Sequence, residues 1–399
     1  MIDIKIANSI HVATDTTRNV VSVDVHSRKK KISYDFNNKV AYSPLINAHD
    51  HLASNWSPRT GTRNTYINIH IWIEETKHSE SYLERSKIWT NNGDFDLTTG
   101  NAKLLALLGM YKNIFSGVHI ISDHTKPQKP EYYDWFDIYV VPDFAHCKSI
   151  SFLDLYNSIS PEEDMIKTKG IIPFIIHLAE GVDNISIQEF DILLEKGLLQ
   201  RNTLIVHGIA LKKENFFRIA QEKASICWCP GSNMSLYRKT LDVPTALESG
   251  VNITIGTDST ISGGGTMFDE IRHAKRTYPE IPTKFIYDMV TKNAETALLL
   301  FDNDLLDNRK NLLILDKKHD DIYENLLYQD VENIDLLIHQ SKPIYGNINY
   351  FEDFELSLDN YEIIKIGNKE KFIIGKPTSI LEKINEILGY KKNFPYLPF

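Results

Sequence analysis

The chain has 399 residues, 42% of them apolar and 24% charged, with a formal charge of −9 at pH 7. Such a chain buries a large core rather than staying disordered, and its negative balance argues against a nucleic-acid or anionic-membrane partner. Three cysteines cannot make a disulfide framework, and no segment approaches the ~20 apolar residues of a membrane span. The expectation is a soluble, cytoplasmic protein with a small-molecule partner and a homodimer as its candidate assembly.

Residues 1–40 read as strands, with "DIKIANSI", "NVVSVDV" and "KISYDF" alternating around a basic hairpin tip at 28–31. From about residue 44 the texture changes. Apolar runs bounded by turns ("SPLINAHD", "SGVHIISDH", "FDIYVVPDF", "IIPFIIHLAE", "NTLIVHGIAL", "ASICWCPGSN", "VNITIGTDS") alternate with amphipathic segments such as "SIQEFDILLEKGLL" and "KKENFFRIAQEK". Continuous apolar strands separated by helices indicate a parallel sheet covered on both faces. Seven such runs over about 260 residues point to an α/β fold, a (β/α)₈ TIM barrel at 41–305. The fourth strand is the missing one, with Ser149–Leu153 as its best candidate. From about 306 the texture returns to β, with "KNLLILD" and "NIDLLIHQSKPIYG" as strands. Residues 1–40 and 306–355 are expected to form one discontinuous β domain. Residues 356–399 form an extension: a hairpin around an Asn-Lys turn at 368–369, then an amphipathic helix.

Several runs end in a residue able to bind a metal or move a proton. His49 and His51 end the first, one residue apart, so strand alternation points both imidazoles the same way. His177 and Glu180 end the fifth, His207 the sixth and Asp258 the last. In a barrel these strand ends share one mouth. Three neutral imidazoles with a carboxylate suit zinc or ferrous iron with one position left for water. Such an ion can lower the pKa of its water to about 7, and a nearby carboxylate can carry the proton to a leaving group. Cys227 and Cys229 lack a second ligand pair at finger spacing and read, like Cys147, as buried thiols.

The ordered set resembles the amidohydrolase superfamily of metal-dependent hydrolases over nearly the whole chain. "INAHDHL" is similar to the first-strand His-x-His motif and "GVHIISDH" to the second strand. "HLAEG" resembles the fifth-strand His-x-x-Glu, "VHGIAL" the sixth-strand histidine, "CPGSNMSL" the loop after strand seven, and "IGTDS" the eighth-strand aspartate. The Glu and the Ser-Asn loop are most similar to the branch of cytosine, guanine and adenosylhomocysteine deaminases and triazine hydrolases. The resemblance implies one divalent metal per chain, zinc first and ferrous iron second, held by His49, His51, His177 and Asp258. It implies Glu180 as proton shuttle, His207 as a hydrogen-bonding partner of substrate, and Asp258 as the third member of the catalytic set. It also implies a small β-sandwich built from both chain ends. Departures are "SPL" where Pro-Gly is usual, and Gln340-Ser341 where a glycine is usual. The bridging lysine of two-metal branches has no clear counterpart, since Lys148, Lys167 and Lys169 end no convincing strand.

The implied reaction is hydrolysis of a non-peptide C–N bond, first as deamination of a small heterocyclic or amidine-like compound. Amide or lactam hydrolysis uses the same site. A non-catalytic metal-binding barrel is the alternative of another class. Trp56, Tyr66, Trp72 and Trp89 lie in a long loop that would cover the mouth. Trp56, His124, Ser232 and Asn233 are the candidate substrate contacts. "SGGGT" at 262–266 lacks a P-loop lysine and reads as a loop beside the site.

Overall fold

The computed structural model describes residues 2–5, 11–13, 22–25, 34, 36, 38–61, 63, 65–89, 97–98, 101–153, 160–302 and 304–399. The basic run at 28–31 lies outside the described residues. The first three strands are β1 (Ile2–Lys5), β2 (His11–Ala13) and β3 (Ser22–Val25), with β1 antiparallel to β3. Strand β4 (Lys39–Tyr42) follows.

The chain then enters parallel structure. Strands β5 (Leu45–Asp50), β6 (Val118–Asp123) and β7 (Tyr139–Val140) form a three-stranded parallel sheet. Five further strands form a second parallel sheet in the order β12-β11-β10-β9-β8. They are β8 (Ala145–Cys147), β9 (Phe174–Leu178), β10 (Thr203–His207), β11 (Ser225–Trp228) and β12 (Asn252–Ile255). The fourth of these parallel strands is therefore Ala145–Cys147 and not Ser149–Leu153. It escapes sequence reading because only four residues, Val141–Phe144, separate it from β7, with no helix between.

Side-chain alternation divides these strands into two layers. Ile46, Ala48, Ile120, Ile175, Leu204 and Val206, drawn from both parallel sheets, pack into one buried cluster. Residues of the opposite parity, among them Leu45, Ile121, Ile176, Ile205 and Ile226, join the larger core with the surrounding helices. Each such fully buried aliphatic side chain contributes about 1.5–3 kcal/mol. The two sheets also meet at β5, where Asp258 N–H, just beyond β12, donates to His49 O (3.1 Å). Gly256 permits this approach, because a Cβ there would lie 2.6 Å from His49 Cβ.

The chain returns to β structure in β13 (Leu312–Asp316), β14 (Ile334–His339), β15 (Lys342–Asn347), β16 (Tyr361–Ile366) and β17 (Lys369–Ile374). These join β2 and β4 in one sheet, ordered β16-β17-β15-β14-β13-β4-β2, while β1 and β3 pair separately. Ala41 pairs with Ile314, so segments from both ends of the chain share a ladder. The hairpin of residues 361–374 adds to the same sheet through β15–β17 pairing. Its turn is Gly367-Asn368 rather than Asn368-Lys369, because Lys369 already pairs with Ile366. At the β14–β15 turn Gln340 (φ +50°) and Ser341 (φ +62°) occupy the left-handed region that glycine favours. Bonds from Gln340 N–H to Asn311 Oδ1 and from Ser341 N–H to Lys310 O hold the turn without glycine. The helix Pro377–Leu388 follows. No helix among the described residues is long and apolar enough to cross a membrane.

Candidate metal centre

His49 lies near the end of β5 and His51 directly follows it, with their rings 4.9 Å apart, and His177 from β9 lies 5.0 Å from His49. His49 Nε2 and His177 Nε2 approach to 3.2 Å. His51 Nε2 lies 3.5 Å from Asp258 Oδ1, and His49 Nε2 4.0 Å from the same oxygen. Two overlapping triads, His49–His177–His207 and His49–His51–Asp258, each have their ligand atoms within 4.8 Å of one another. His207 thus converges on the same point as the four expected ligands.

Electrostatics keeps these donors ready for a cation. Burial first, then the neighbouring imidazoles, hold His49 and His177 well below the ordinary histidine range, so their lone pairs are available at neutral pH. Burial by itself would raise the Asp258 carboxyl. His51, His207 and His49, with the Ser232 hydroxyl, outweigh burial and hold it below the usual carboxylate range. A buried carboxylate facing several imidazoles, with His49 Nε2 and His177 Nε2 turned toward one another, is a donor set that fits a divalent transition ion.

The backbone at the strand ends is strained. His207 (φ +74°), Asp258 (φ +52°) and Ala179 (φ +54°) all lie in the left-handed region. Such conformations cost about 1–3 kcal/mol each and cluster at functional sites. Here they turn His207, Asp258 and Glu180 toward one centre. Glu180, 4% exposed, has Oε2 at 3.5 Å from His207 Nε2 and accepts from the Tyr237 hydroxyl at Oε1 (3.1 Å). Burial first, then Asp258, raises the Glu180 carboxyl well above its ordinary range, and the Tyr237 bond opposes them.

A polar layer lies behind the ligands. The Lys112 ammonium, from the helix Ala102–Ile114, is fully buried. It donates to Asp50 Oδ1 (3.2 Å), Asn55 Oδ1 (2.9 Å), Thr257 Oγ1 (3.1 Å) and Asp258 O (3.2 Å). It therefore ties the end of β5 to the end of β12. Sequence reading missed it, since a lone lysine on an amphipathic helix carries no signal of burial. On the other side, the buried Glu270 accepts from Gly231 N–H and Gly264 N–H (2.7 Å each). Of the glycines of "SGGGT", Gly264 serves this packing: a Cβ there would lie 2.3 Å from Glu270 Oε1.

The candidate substrate contacts divide. His124 lies on the wall of the cavity beside the cluster, stacked 4.4 Å from His177, and neither ring nitrogen has a hydrogen-bond partner among the described residues. Ser232 and Asn233 instead support other site residues. Ser232 Oγ–H donates to Asp258 Oδ2 (2.8 Å), and Asn233 Oδ1 meets His207 Nδ1 (2.9 Å). Trp56 does not line the cavity. It is fully buried, its Nε1–H donates to Ser81 O and its ring packs on Phe394. In the same loop Tyr66 is buried, while Trp72 and Trp89 face the cavity. Lys148 follows β8 directly and also lines it, so the structure gives this lysine the strand-end position that sequence reading denied it. Cys147, Cys227 and Cys229 are buried.

Parallel strands with a histidine and carboxylate cluster at their C-terminal ends define an α/β protein with a candidate metal centre. Residues 162–303 match the amidohydrolase family model. A 5-methylthioadenosine/S-adenosylhomocysteine deaminase from Pyrococcus abyssi is 31% identical over 140 residues, which cover 31% of this chain and 32% of that protein. The chain thus spans about a third of the length of this relative. A 5'-deoxyadenosine deaminase from Methanosphaera stadtmanae is 22% identical over 340 residues, 74% of this chain and 77% of that protein. The solved structure of a zinc-complexed atrazine chlorohydrolase from Arthrobacter aurescens TC1 superposes with a TM-score of 0.68 at 13% identity, over 97% of this chain and all of that one (100%). The chain is thus similar to the amidohydrolase family over residues 162–303, and these sequence relatives lie in the deaminase branch.

Proposed function

We propose that the protein is a metal-dependent aminohydrolase that removes an amino group from a small heterocycle by hydrolysis. The observation that carries this reading is the convergence of His49, His51, His177 and Asp258 with Glu180 and His207 on one cavity. In this reading the first four residues hold one divalent ion, zinc before iron given the nitrogen and oxygen donors. The ion supplies Lewis-acid activation of water near neutral pH. Glu180 takes a proton from the attacking water and delivers it to the departing nitrogen. His207, oriented through Nδ1 by Asn233, presents Nε2 to the substrate at the attacked carbon. Tyr237 holds the Glu180 carboxyl in its position.

The same reading takes the two parallel sheets as one closed (β/α)₈ barrel at 41–305, supported by the shared inner layer and the β5–β12 contacts. Residues 1–40 and 306–355 then make the β-sandwich beside it. The hairpin of residues 361–374 extends its sheet.

An ammonia-release screen over purine nucleosides, aminopyrimidines and aminotriazines, run beside a panel of cyclic and linear amides on zinc-loaded protein, tests the function. Ammonia from a heterocyclic amine is the expected result. Turnover confined to amides would replace deamination with amide hydrolysis, and no turnover on either panel would contradict both.

A further inference from the structure

One wall of the cavity above the histidine cluster is a short helix, Glu80–Ile88. Tyr82, Arg85 and the adjoining Trp89, spaced three and four residues apart, line the cavity. Ser81, Glu84 and Ile88, on the neighbouring face, are buried and do not line it. A helix of nine residues is shorter than the ~12–15 at which helices begin to hold together unaided in water, so its place depends on what grips that second face. The grip comes from residues 390–396, remote in sequence. The Tyr390 hydroxyl donates to Glu84 Oε1 and the Lys392 ammonium to Glu84 Oε2. Lys392 also donates to Ser81 Oγ (3.3 Å) and lies 4.5 Å from the centre of the Trp56 ring. The side chains of Lys392 and Glu84 are only 10% and 11% exposed, so water and salt screen the pair little. The same segment is anchored at its other end. Phe394 packs on Trp56, and Tyr396 Oη–H donates to Asn55 O (2.7 Å). Asn55 belongs to the polar layer behind the ligands, where its Oδ1 accepts from Lys112 (2.9 Å) and its Nδ2 donates to Asp50 Oδ1 (2.9 Å). One short segment is thus tied to the floor of the cavity at Tyr396 and to its wall at Tyr390 and Lys392.

We propose that residues 390–396 are a strap that sets the cavity wall against the histidine floor, and that Glu84, Tyr390 and Lys392 are positioning residues for substrate binding although none of them lines the cavity. The effect on substrate rests on the aminohydrolase reading; the strap does not.

The test uses the full chain loaded with zinc. Hydrogen exchange read by mass spectrometry reports on the helix Glu80–Ile88 directly and needs no substrate. Lys392→Met keeps the stem over Trp56 and removes the charge. It should speed exchange in that helix at least about tenfold and leave the helix Asn184–Glu195 as in the parent. Lys392→Arg, which keeps a cation beside Glu84, should stay within about threefold of the parent. Tyr390 is 44% exposed, so Tyr390→Phe removes one bond to Glu84 without disturbing the core and should speed exchange in the wall helix about threefold. Zinc content should match the parent in all three variants. Adenosine, cytosine and melamine are then assayed for ammonia release. With whichever of them is turned over, Lys392→Met should raise KM at least about fivefold and leave kcat within about twofold. Unchanged exchange in the wall helix of Lys392→Met, or of Tyr390→Phe where Lys392→Met does not fold, overturns the strap, as does equal acceleration in Asn184–Glu195. Exchange in Lys392→Arg as fast as in Lys392→Met overturns the part given to the ion pair. Faster exchange with KM unchanged, or a fall in kcat alone, overturns the role in substrate binding. Ammonia from none of the three amines counts against the aminohydrolase reading, and exchange then decides the strap by itself.

Discussion

Lys112→Met keeps the length and volume of a fully buried side chain and removes its charge. The ammonium joins Asp50, Asn55, Thr257 and the carbonyl of Asp258, so its loss leaves the Asp50 carboxylate without a cation. Removing one partner of a buried ion pair typically costs about 3–5 kcal/mol. Asp50 retains N–H donors from Asn47, Asn55, Asn113 and His51, which puts the loss near the lower bound, about 3 kcal/mol. With an unfolding entropy of about 2.1 cal/mol/K per residue, that lowers Tm by roughly 3–4 °C. Scanning calorimetry of the metal-free protein measures it without a contribution from bound metal. Adding Asp50→Asn removes the orphaned charge, so the double variant should regain at least about half of the loss. A single variant within about 1 °C of the parent, or a double variant as unstable as the sum of both singles, would refute the claim that this pair fastens β5 to β12.

Glu180→Gln preserves shape but cannot carry a proton. It should keep its metal and lose turnover by about 10²-fold or more in steady-state assays, and near-normal turnover would show that the proton takes another route. Away from the site, the Nδ1 atoms of His119 and His339 lie 3.1 Å apart between β6 and β14, which requires one ring to donate and the other to accept. Burial, with Lys342 nearby, lowers His339 to about 4. The stability it contributes is present above the unfolded value near 6.5 and is lost as pH falls toward about 4. Chemical denaturation should therefore show a loss of about 3 kcal/mol between pH 7 and 4 that His339→Leu removes, and superimposable pH profiles would count against it.

The ligand candidates were legible because each ends an apolar run, where strand alternation and parallel packing leave a polar side chain few places to go. The fourth strand was not, because three residues joined to β7 without a helix give no periodicity to read. Lys148 was lost with it. Trp56 shows a different limit. An aromatic in a loop over a site can line the pocket or anchor the loop, and what decides is the Ser81 carbonyl and the Phe394 ring, both remote in sequence. Lys112 shows the same limit for charge, as its partners come from β5, the turn beyond it and the end of β12. The turn at Gln340-Ser341 holds without a glycine because Asn311 and Lys310 bond its backbone, a compensation visible only in three dimensions.

The central claim is that one divalent ion is held by His49, His51, His177 and Asp258. Elemental analysis of protein exchanged into limiting zinc tests it most directly. The parent chain should retain about one equivalent, Glu180→Gln about the same, and His49→Ala with His51→Ala less than about a tenth, with circular dichroism confirming the fold of each. Full metal content in the folded double histidine variant would contradict the assignment, and loss of metal from Glu180→Gln would make that residue a ligand rather than the proton carrier.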